Sequence, residues 1–204
     1  MARVKYYSII LPMLLAWLIT FLPSRASPNP NGDGYVRDAC SVTRYRDLCI
    51  RSLSSFSSTA KDNPSKWARA GVSVAIGEAK RVARYLATLK RNRNGGSRIR
   101  GRNRIALSDC VECFQDTLDN LHRSLYVLRK LSVRDFGSQV EDVATWVSAA
   151  LTDEDTCVDG FDERTGKGVK PLINRVSNVT YMTSNALALI NKLVTAGPEC
   201  LKNG

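Results

Sequence analysis

Apolar residues recur in alternating steps of four and three between residues 106 and 131. That spacing lays one apolar stripe along a helix and leaves charged side chains on the opposite side. At about 1.5 Å rise per residue, such a helix is long on the scale of a small domain and needs partner helices to bury its stripe. The pattern therefore predicts a bundle of long helices. The stripe consists of Leu107, Val111, Phe114, Leu118, Leu121, Leu125 and Leu128.

Three further stretches carry a similar helical pattern. The first covers residues 64–90, with Asn63 as a candidate N-cap. The next begins near Ser138, which is predicted to form a capping box with Glu141, and the last covers residues 171–196. No segment alternates with the period of a β-strand. We therefore predict an all-α fold, an up-down-up-down four-helix bundle.

The first 26 residues have the layout of a cleaved signal peptide. Arg3 and Lys5 precede an apolar run over residues 6–22, and Ser24 and Ala26 supply small residues at the minus-three and minus-one positions. The strongly apolar part is shorter than the roughly 20 residues that a membrane span needs. We therefore expect cleavage after Ala26 and export from the cell, with a retained membrane anchor as the alternative.

Two segments are expected between the signal peptide and the bundle. Residues 27–35 are rich in Pro, Asn and Gly, which predicts a flexible N-terminus. Short apolar positions then alternate with charges around Cys40 and Cys49, and two short helices joined by a disulfide across their turn would satisfy the spacing of nine. Two unrelated buried thiols are the alternative. The expected domain covers residues 36–200, with a helical hairpin at 36–60 and the bundle at 64–196.

The charge of the chain narrows the class of partner. The formal net charge is +11 at pH 7, and removal of residues 1–26 takes away three positive charges and no negative one, which leaves +8. Outside the cell, we expect a basic protein to contact acidic polysaccharide or anionic lipid rather than nucleic acid. Export also favours oxidation of its six cysteines.

The strongest charge bias lies in residues 90–104, where glycine and basic residues dominate. This composition predicts a mobile loop that contacts a polyanion, with a solvated connection as the alternative. Nucleic acid is disfavoured because the chain is exported and no aromatic residue interleaves the arginines to stack on bases. The candidate polyanion contacts are Lys90, Arg91, Arg93, Arg98, Arg100, Arg102 and Arg104.

The sequence lacks the combinations of residues that a catalytic site or a metal site needs. His122 is the only histidine, which makes a histidine-based triad or a zinc cluster hard to build. Cys110 and Cys113 form a CxxC pair, but no strand leads into it as a thioredoxin-like motif requires. We expect no enzymatic activity, no metal and no cofactor. The acidic residues of the same helix are spaced like an exposed contact face: Asp109, Glu112, Asp116 and Asp119.

Two further sequence features bear on modification and cysteine pairing. Asn178 begins an Asn-Val-Thr sequon and is a candidate glycosylation site. If the four helices alternate in direction, Cys110 and Cys157 lie at one end, close enough to bridge. Cys113 lies near that end, whereas Cys200 follows the last helix at the other end, roughly 30 Å away by helix rise. Cys113 and Cys200 are therefore not expected to pair.

Four short stretches follow the hairpin of Cys40 and Cys49: Ala-Leu-Ser-Asp-Cys-Val-Glu at 106–112, Ser-Ala-Ala-Leu-Thr at 148–152, Thr-Cys-Val-Asp-Gly-Phe at 156–161 and Thr-Ser-Asn-Ala-Leu-Ala at 183–188. Together with the hairpin, these stretches resemble the plant invertase and pectin methylesterase inhibitor family. The resemblance covers residues 36–193, nearly all of the expected mature chain. It implies disulfides between Cys40 and Cys49 and between Cys110 and Cys157, and it leaves the other two cysteines outside the family's four-cysteine pattern.

This resemblance also implies a function. The family's invertase inhibitors carry Pro-Lys-Phe before the third bundle helix, whereas this connection, residues 132–137, lacks the triplet. The implied protein is a secreted inhibitor of pectin methylesterase in the apoplast and cell wall, which binds the enzyme one to one and occludes its substrate cleft. Acid invertase is the alternative target, and demethylated pectin is a candidate second partner. The implied target contacts are Glu112, Asp116, Asp119, Thr156 and Asp159.

Overall fold

The structure, a computed structural model, describes residues 30–91, 99, 101–161 and 168–201, with side chains from residue 34 onward. The predicted signal peptide lies outside the described residues. Within the described ranges, no helix combines the length and the apolar character needed to cross a membrane.

Over these ranges the chain forms seven α-helices and no strand. Four long helices, α4 to α7, form the bundle, in which α4 and α6 each pack against both α5 and α7 and therefore occupy diagonal positions. The predicted four-helix bundle is confirmed. The helices are α1 Pro30–Ala39, α2 Arg46–Leu53, α3 Ser57–Ala60, α4 Pro64–Arg91, α5 Arg102–Leu128, α6 Phe136–Asp159 and α7 Lys170–Ala196, with short 3₁₀ turns at Cys40–Val42, Ser54–Phe56 and Pro198–Leu201.

The apolar stripe of α5 faces the core with a small rotation from its predicted position. Leu118 and Val111 are only half-buried, while Cys110, Thr117 and Ser124 occupy fully buried positions. A pattern based on apolar residue type misses Thr and Ser, yet Ser fits a buried helix position when its hydroxyl bonds to the backbone. Ser124 Oγ does so, donating a hydrogen bond of 2.9 Å to the carbonyl oxygen of Asn120.

Two residues, Asn63 and Ser138, are predicted to cap helix N-termini; the first prediction is confirmed and the second is wrong. The backbone N–H of Lys66 donates to Asn63 Oδ1 at 3.0 Å, so Asn63 caps α4 as predicted. Ser138 is not a cap, because α6 begins two residues earlier at Phe136, with Asp135 at the N-cap position. Burial of the Phe136 ring in the core accounts for the earlier start.

The prediction of a mobile loop over residues 90–104 is wrong at both ends. Lys90 and Arg91 complete the last turn of α4, and Arg102 begins α5. Ile99 has only 3% of its surface exposed and belongs to the main core, so packing fixes this part of the connection. Residues 92–98 and 100 lie outside the described residues.

The N-terminal segment is also more ordered than its composition predicts. Helix α1 begins at Pro30, inside the stretch 27–35 that was expected to be flexible. Proline suits the first turn of a helix, and the buried side chains of Val36 and Ala39 give α1 a core to pack against. Residues 27–29 lie outside the described residues.

The N-terminal hairpin is closed by the disulfide between Cys40 and Cys49, with Cα atoms 5.8 Å apart. A clamp from α7 holds it on the bundle: Asn185 Oδ1 accepts a hydrogen bond of 3.2 Å from Tyr45 N–H, and Asn185 Nδ2 donates one of 3.0 Å to the Tyr45 carbonyl. The hairpin forms a second apolar core with Trp67 of α4 and Leu189 of α7.

Helices α4 and α7 approach closely at Gly71. A Cβ atom at this position would lie 3.0 Å from Leu189 Cδ1 and 3.3 Å from Ala186 Cα. Glycine lowers intrinsic helix stability, but here it removes a side chain that the neighbouring helix would contact too tightly.

Within the described residues, one carboxyl group lies inside the bundle. Glu154 of α6 has 0% of its surface exposed, and Thr183 Oγ1 of α7 donates a hydrogen bond of 2.8 Å to its Oε1. Burial raises the pKa of this carboxyl to about 8, mainly because the charged form is desolvated. The Thr183 bond lowers the pKa but does not offset the desolvation. Glu154 is therefore neutral in the folded protein at mildly acidic pH.

We predict that Glu154 makes the folded protein lose stability as pH rises. Between its ordinary pKa of 4.5 and the folded value of about 8, unfolding releases a proton. Over that window the free energy of unfolding should fall by about 1.4 kcal/mol per pH unit because of this group. Replacing Glu154→Gln should remove that slope, as measured by urea unfolding at pH 5, 6, 7 and 8.

The matched control is Glu141→Gln, an exposed carboxyl on the same helix. This control should keep the parent's dependence on pH. Equal slopes for the parent and the Glu154→Gln protein would contradict a buried neutral carboxyl.

Candidate functional site

All five implied contact residues are exposed on two helices that pack together. The disulfide between Cys110 and Cys157 is present, with Cα atoms 4.3 Å apart, and it joins the start of α5 to the end of α6. Glu112 lies two residues after Cys110, and Thr156 lies one residue before Cys157. Both residues therefore lie at the end of the bundle that carries this disulfide. Asp119 lies nine residues beyond Cys110, about 13 Å along the axis of α5.

These side chains point outward because of their helical spacing. Glu112, Asp116 and Asp119 follow one another by four and three residues on the side of α5 that leaves the core. Thr156 Oγ1 donates a hydrogen bond of 2.7 Å to the carbonyl oxygen of Thr152, which satisfies the hydroxyl within α6. We call Glu112, Asp116, Asp119, Thr156 and Asp159 the acidic face. Its role in target contact remains a prediction.

Sequence reasoning missed one polar contact that crosses between α5 and α6. Asn120 Nδ2 donates a hydrogen bond of 3.2 Å to Asp153 Oδ2. Partial burial raises the pKa of Asp153, the Asn120 bond opposes that rise, and the negative charge of Asp116 adds to it. The contact fixes the two helices side by side next to the acidic face. No spacing in the sequence signals it, since the two residues are 33 positions apart.

The CxxC motif does not form a redox pair in this structure. Cys110 is bonded to Cys157, and Cys113 is a half-buried free thiol. Burial raises the pKa of Cys113, and the negative charge of Asp153 raises it further. A thiol with a raised pKa is a poor nucleophile at neutral pH.

Cys200 is the other free thiol and lies at the opposite end of the bundle. Asn63, which caps the first residues of α4, donates a hydrogen bond of 3.3 Å from Nδ2 to the Cys200 carbonyl. Cys113 and Cys200 are not joined, as the alternating helix directions predict.

A cleft adjoins the acidic face at Asp159. It has a volume of about 480 Å³ and lies between α6, α7 and the turn of the N-terminal hairpin. The ring of Tyr45 stacks on Tyr181 with centroids 4.1 Å apart, and the Arg44 guanidinium lies 5.6 Å from the Tyr45 centroid. Asp155, Leu151 and Val158 of α6 and the hydroxyls of α7 also line the cleft. Sequence reasoning missed this cleft because the hairpin and α7 are far apart along the chain: Tyr45 and Asn185 of α7, which are hydrogen-bonded, are separated by 140 residues.

The remaining predicted site residues are scattered. His122 is exposed, and the described residues contain no group of three or more His, Cys, Asp or Glu side chains placed to hold a metal. Asn178 is half-buried on α7, so its glycosylation remains a prediction. Lys90, Arg91, Arg102 and Arg104 are exposed at the facing ends of α4 and α5, whereas Arg93, Arg98 and Arg100 lie outside the described residues.

Comparisons with known proteins agree with this architecture. The family model described as plant invertase/pectin methylesterase inhibitor matches residues 34–189. Pectinesterase inhibitor 6 of Arabidopsis thaliana is 50% identical over 165 residues, covering 80% of this chain and 77% of that protein. Pectinesterase inhibitor 9 of the same plant is 36% identical over 194 residues, covering 91% and 93%.

A solved structure supports the fold. The crystal structure of mutant form A of a pectin methylesterase inhibitor from Arabidopsis superposes with a TM-score of 0.59 at 21% identity, covering 74% of this chain and 92% of that chain. At that identity the likeness concerns the fold alone. The family model, which spans most of the chain, and the two relatives carry the assignment: this chain belongs to the plant invertase/pectin methylesterase inhibitor family.

Proposed function

We propose that the protein is a secreted inhibitor of pectin methylesterase, that it binds the enzyme one to one, and that it covers the enzyme's substrate cleft. Such binding would control pectin demethylesterification in the plant cell wall. The observation that carries the proposal is the 50% identity to Pectinesterase inhibitor 6 over four-fifths of the chain. The protein acts by binding and is not an enzyme.

Inhibition of acid invertase is the second candidate function, because the family description includes both targets. The missing Pro-Lys-Phe triplet in residues 132–137 argues against it. The pectinesterase inhibitor names of the relatives also favour pectin methylesterase.

The fold suits inhibition by occlusion. Two long helices, a disulfide and the contact between Asn120 and Asp153 hold the acidic face in one arrangement. A preordered surface loses little conformational entropy when it binds, so more of the interaction energy appears as affinity. Exposed carboxylates on that surface can accept charge-assisted hydrogen bonds from cations and N–H groups of the target.

Action outside the cell is part of the proposal. The first 26 residues have the composition of a signal peptide, and two disulfides are present. Structural disulfides are typical of exported proteins, because the cytosol keeps thiols reduced. Both features support the apoplast and cell wall as the place of action.

We also propose demethylated pectin as a second partner, bound by the basic residues at 90–104. Lys90, Arg91, Arg102 and Arg104 are exposed in the described part of this segment. A polymer of carboxylates is the extracellular polyanion that a pectin methylesterase produces. Clustered positive charge attracts such a polymer over a screening length that depends on the ionic strength.

The acidic face predicts the effect of one double substitution. Changing Asp116→Ala and Thr156→Ala should raise the inhibition constant against pectin methylesterase at least tenfold, about 1.4 kcal/mol, because one contact is removed from each helix. The inhibition constant and the helical circular dichroism signal are measured together.

A matched control pair lies elsewhere on the bundle. Asp142 is an exposed carboxylate of α6, and Thr195 donates to the Asn191 carbonyl as Thr156 does to Thr152. The Asp142→Ala, Thr195→Ala protein should inhibit as the parent does. If the Asp116→Ala, Thr156→Ala protein also inhibits as the parent does, the acidic face is not the contact.

The pectin proposal predicts weaker retention for a variant of the basic segment. Replacing Arg98, Arg100, Arg102 and Arg104 with glutamine should lower retention on a pectate column at about 0.1 M ionic strength, because exposed charges still act at that screening length. Replacing four other arginines, Arg37, Arg46, Arg123 and Arg129, serves as the control for net charge. Equal retention of both variants would mean that residues 90–104 only connect two helices and do not bind pectin.

A further inference from the structure

Charge is divided unevenly between the diagonal helices of the bundle. Helix α4 carries seven Lys and Arg residues and one acidic residue. Helix α6 carries six acidic residues and no Lys or Arg. Since α4 and α6 occupy diagonal positions, the basic and acidic charge are concentrated on different parts of the surface. The acidic face uses α5 and α6 and takes nothing from α4.

Five of the basic residues form a row along α4. Their separations of three, eleven, four and seven residues are close to whole numbers of helical turns, so the five side chains share one side of the helix. The row extends over about 38 Å. The basic row consists of Lys66, Arg69, Lys80, Arg84 and Arg91.

The basic row is not used for ion pairing among the described residues. The only acidic residue of α4, Glu78, is bound by Arg81, which lies outside the row. Lys192 pairs with Asp38 on another part of the molecule. No carboxylate of the described residues lies within 4 Å of the side-chain nitrogens of Lys80 or Arg84.

Helix stability does not account for the row either. Lys80 and Arg84 are exposed and four residues apart, so they face each other on the helix and their like charges repel. The helix dipole favours a cation at Arg91, in the last turn, but has little effect in the middle of a helix. A ligand with regularly spaced negative charge would turn this repulsion into attraction.

We propose that the basic row of α4 binds a linear polymer of carboxylates, the demethylated form of pectin. The choice of polymer rests on the proposed function, because hydrolysis of each methyl ester by the target enzyme leaves a carboxylate on the polymer. The row lies on one continuous helix and shares only Arg91 with the basic segment at 90–104. A row of cations about 38 Å long suits an extended polymer rather than a compact anion.

The physiological consequence is that the inhibitor is retained in regions of the cell wall where the enzyme has already demethylated pectin. Methyl-esterified polymer carries no charge at the ester, so it does not attract the basic row. As demethylation proceeds, the polymer gains negative charge and binds more inhibitor. The product of the target enzyme thereby concentrates the inhibitor next to that enzyme.

The test compares two variants that each lose three positive charges. The row variant is Lys66→Gln, Lys80→Gln, Arg84→Gln, and the control is Arg37→Gln, Arg46→Gln, Arg51→Gln, all exposed cations of the N-terminal hairpin. Glutamine keeps the helix propensity of lysine and arginine. Binding to immobilised polygalacturonate is measured at about 0.1 M salt, where charge attraction at the surface persists.

The row variant should lose at least about tenfold in affinity, and the control less than about threefold, because local charge matters more than net charge at this screening length. The parent should not bind pectin that is fully methyl-esterified. Equal losses in the two variants, or equal binding of the parent to the esterified polymer, would overturn the proposal. Thermal unfolding of each variant shows that the bundle is intact.

Two further arms separate this inference from the proposed function. The Asp116→Ala, Thr156→Ala protein should bind polygalacturonate as the parent does, and the row variant should inhibit pectin methylesterase as the parent does. If the parent binds the polymer through the row but fails to inhibit the enzyme, the proposed function fails and polymer binding stands. If the parent inhibits the enzyme but the row variant binds polymer as the control does, only the present inference fails.

Discussion

The packing of α5 against α6, closed at one end by the disulfide between Cys110 and Cys157, is the contact on which the rest of the structure depends. The bond closes a chain separation of 47 residues, which in the chain-entropy model stabilises the fold by about 4 kcal/mol. The bond joins the start of α5 to the end of α6, so it fits the antiparallel packing of these two helices. The acidic face exists because this contact holds Glu112 and Thr156 at one end.

The outer surfaces of the bundle follow from the same packing. Once the apolar stripes meet inside, charged residues between the stripes must face water, and their distribution decides which partners the surface attracts. Acidic residues are concentrated on α6 and basic residues on α4. This division of charge is the basis of the two proposed surfaces, one for a protein partner and one for an anionic polymer.

The long helices could be predicted from the sequence because burial of an apolar stripe has a period that residue type reveals. Asn63 was predictable for a local reason, since its side chain caps the helix that directly follows. Contacts between distant residues left no such signal: the Asn185 clamp on Tyr45, the Asn120 contact with Asp153 and the burial of Glu154 depend on the assembled bundle. The start of α6 was missed because tertiary burial of Phe136 outweighed the local capping pattern.

The identity of the target enzyme is the central claim, and parallel titration tests it most directly. Mature protein is added to a pectin methylesterase and, separately, to an acid invertase, at enzyme concentrations well above the dissociation constant. The account predicts that pectin methylesterase activity falls linearly and ends at about one equivalent, while invertase activity does not change. Loss of invertase activity with pectin methylesterase unaffected, or no effect on either enzyme, would contradict it.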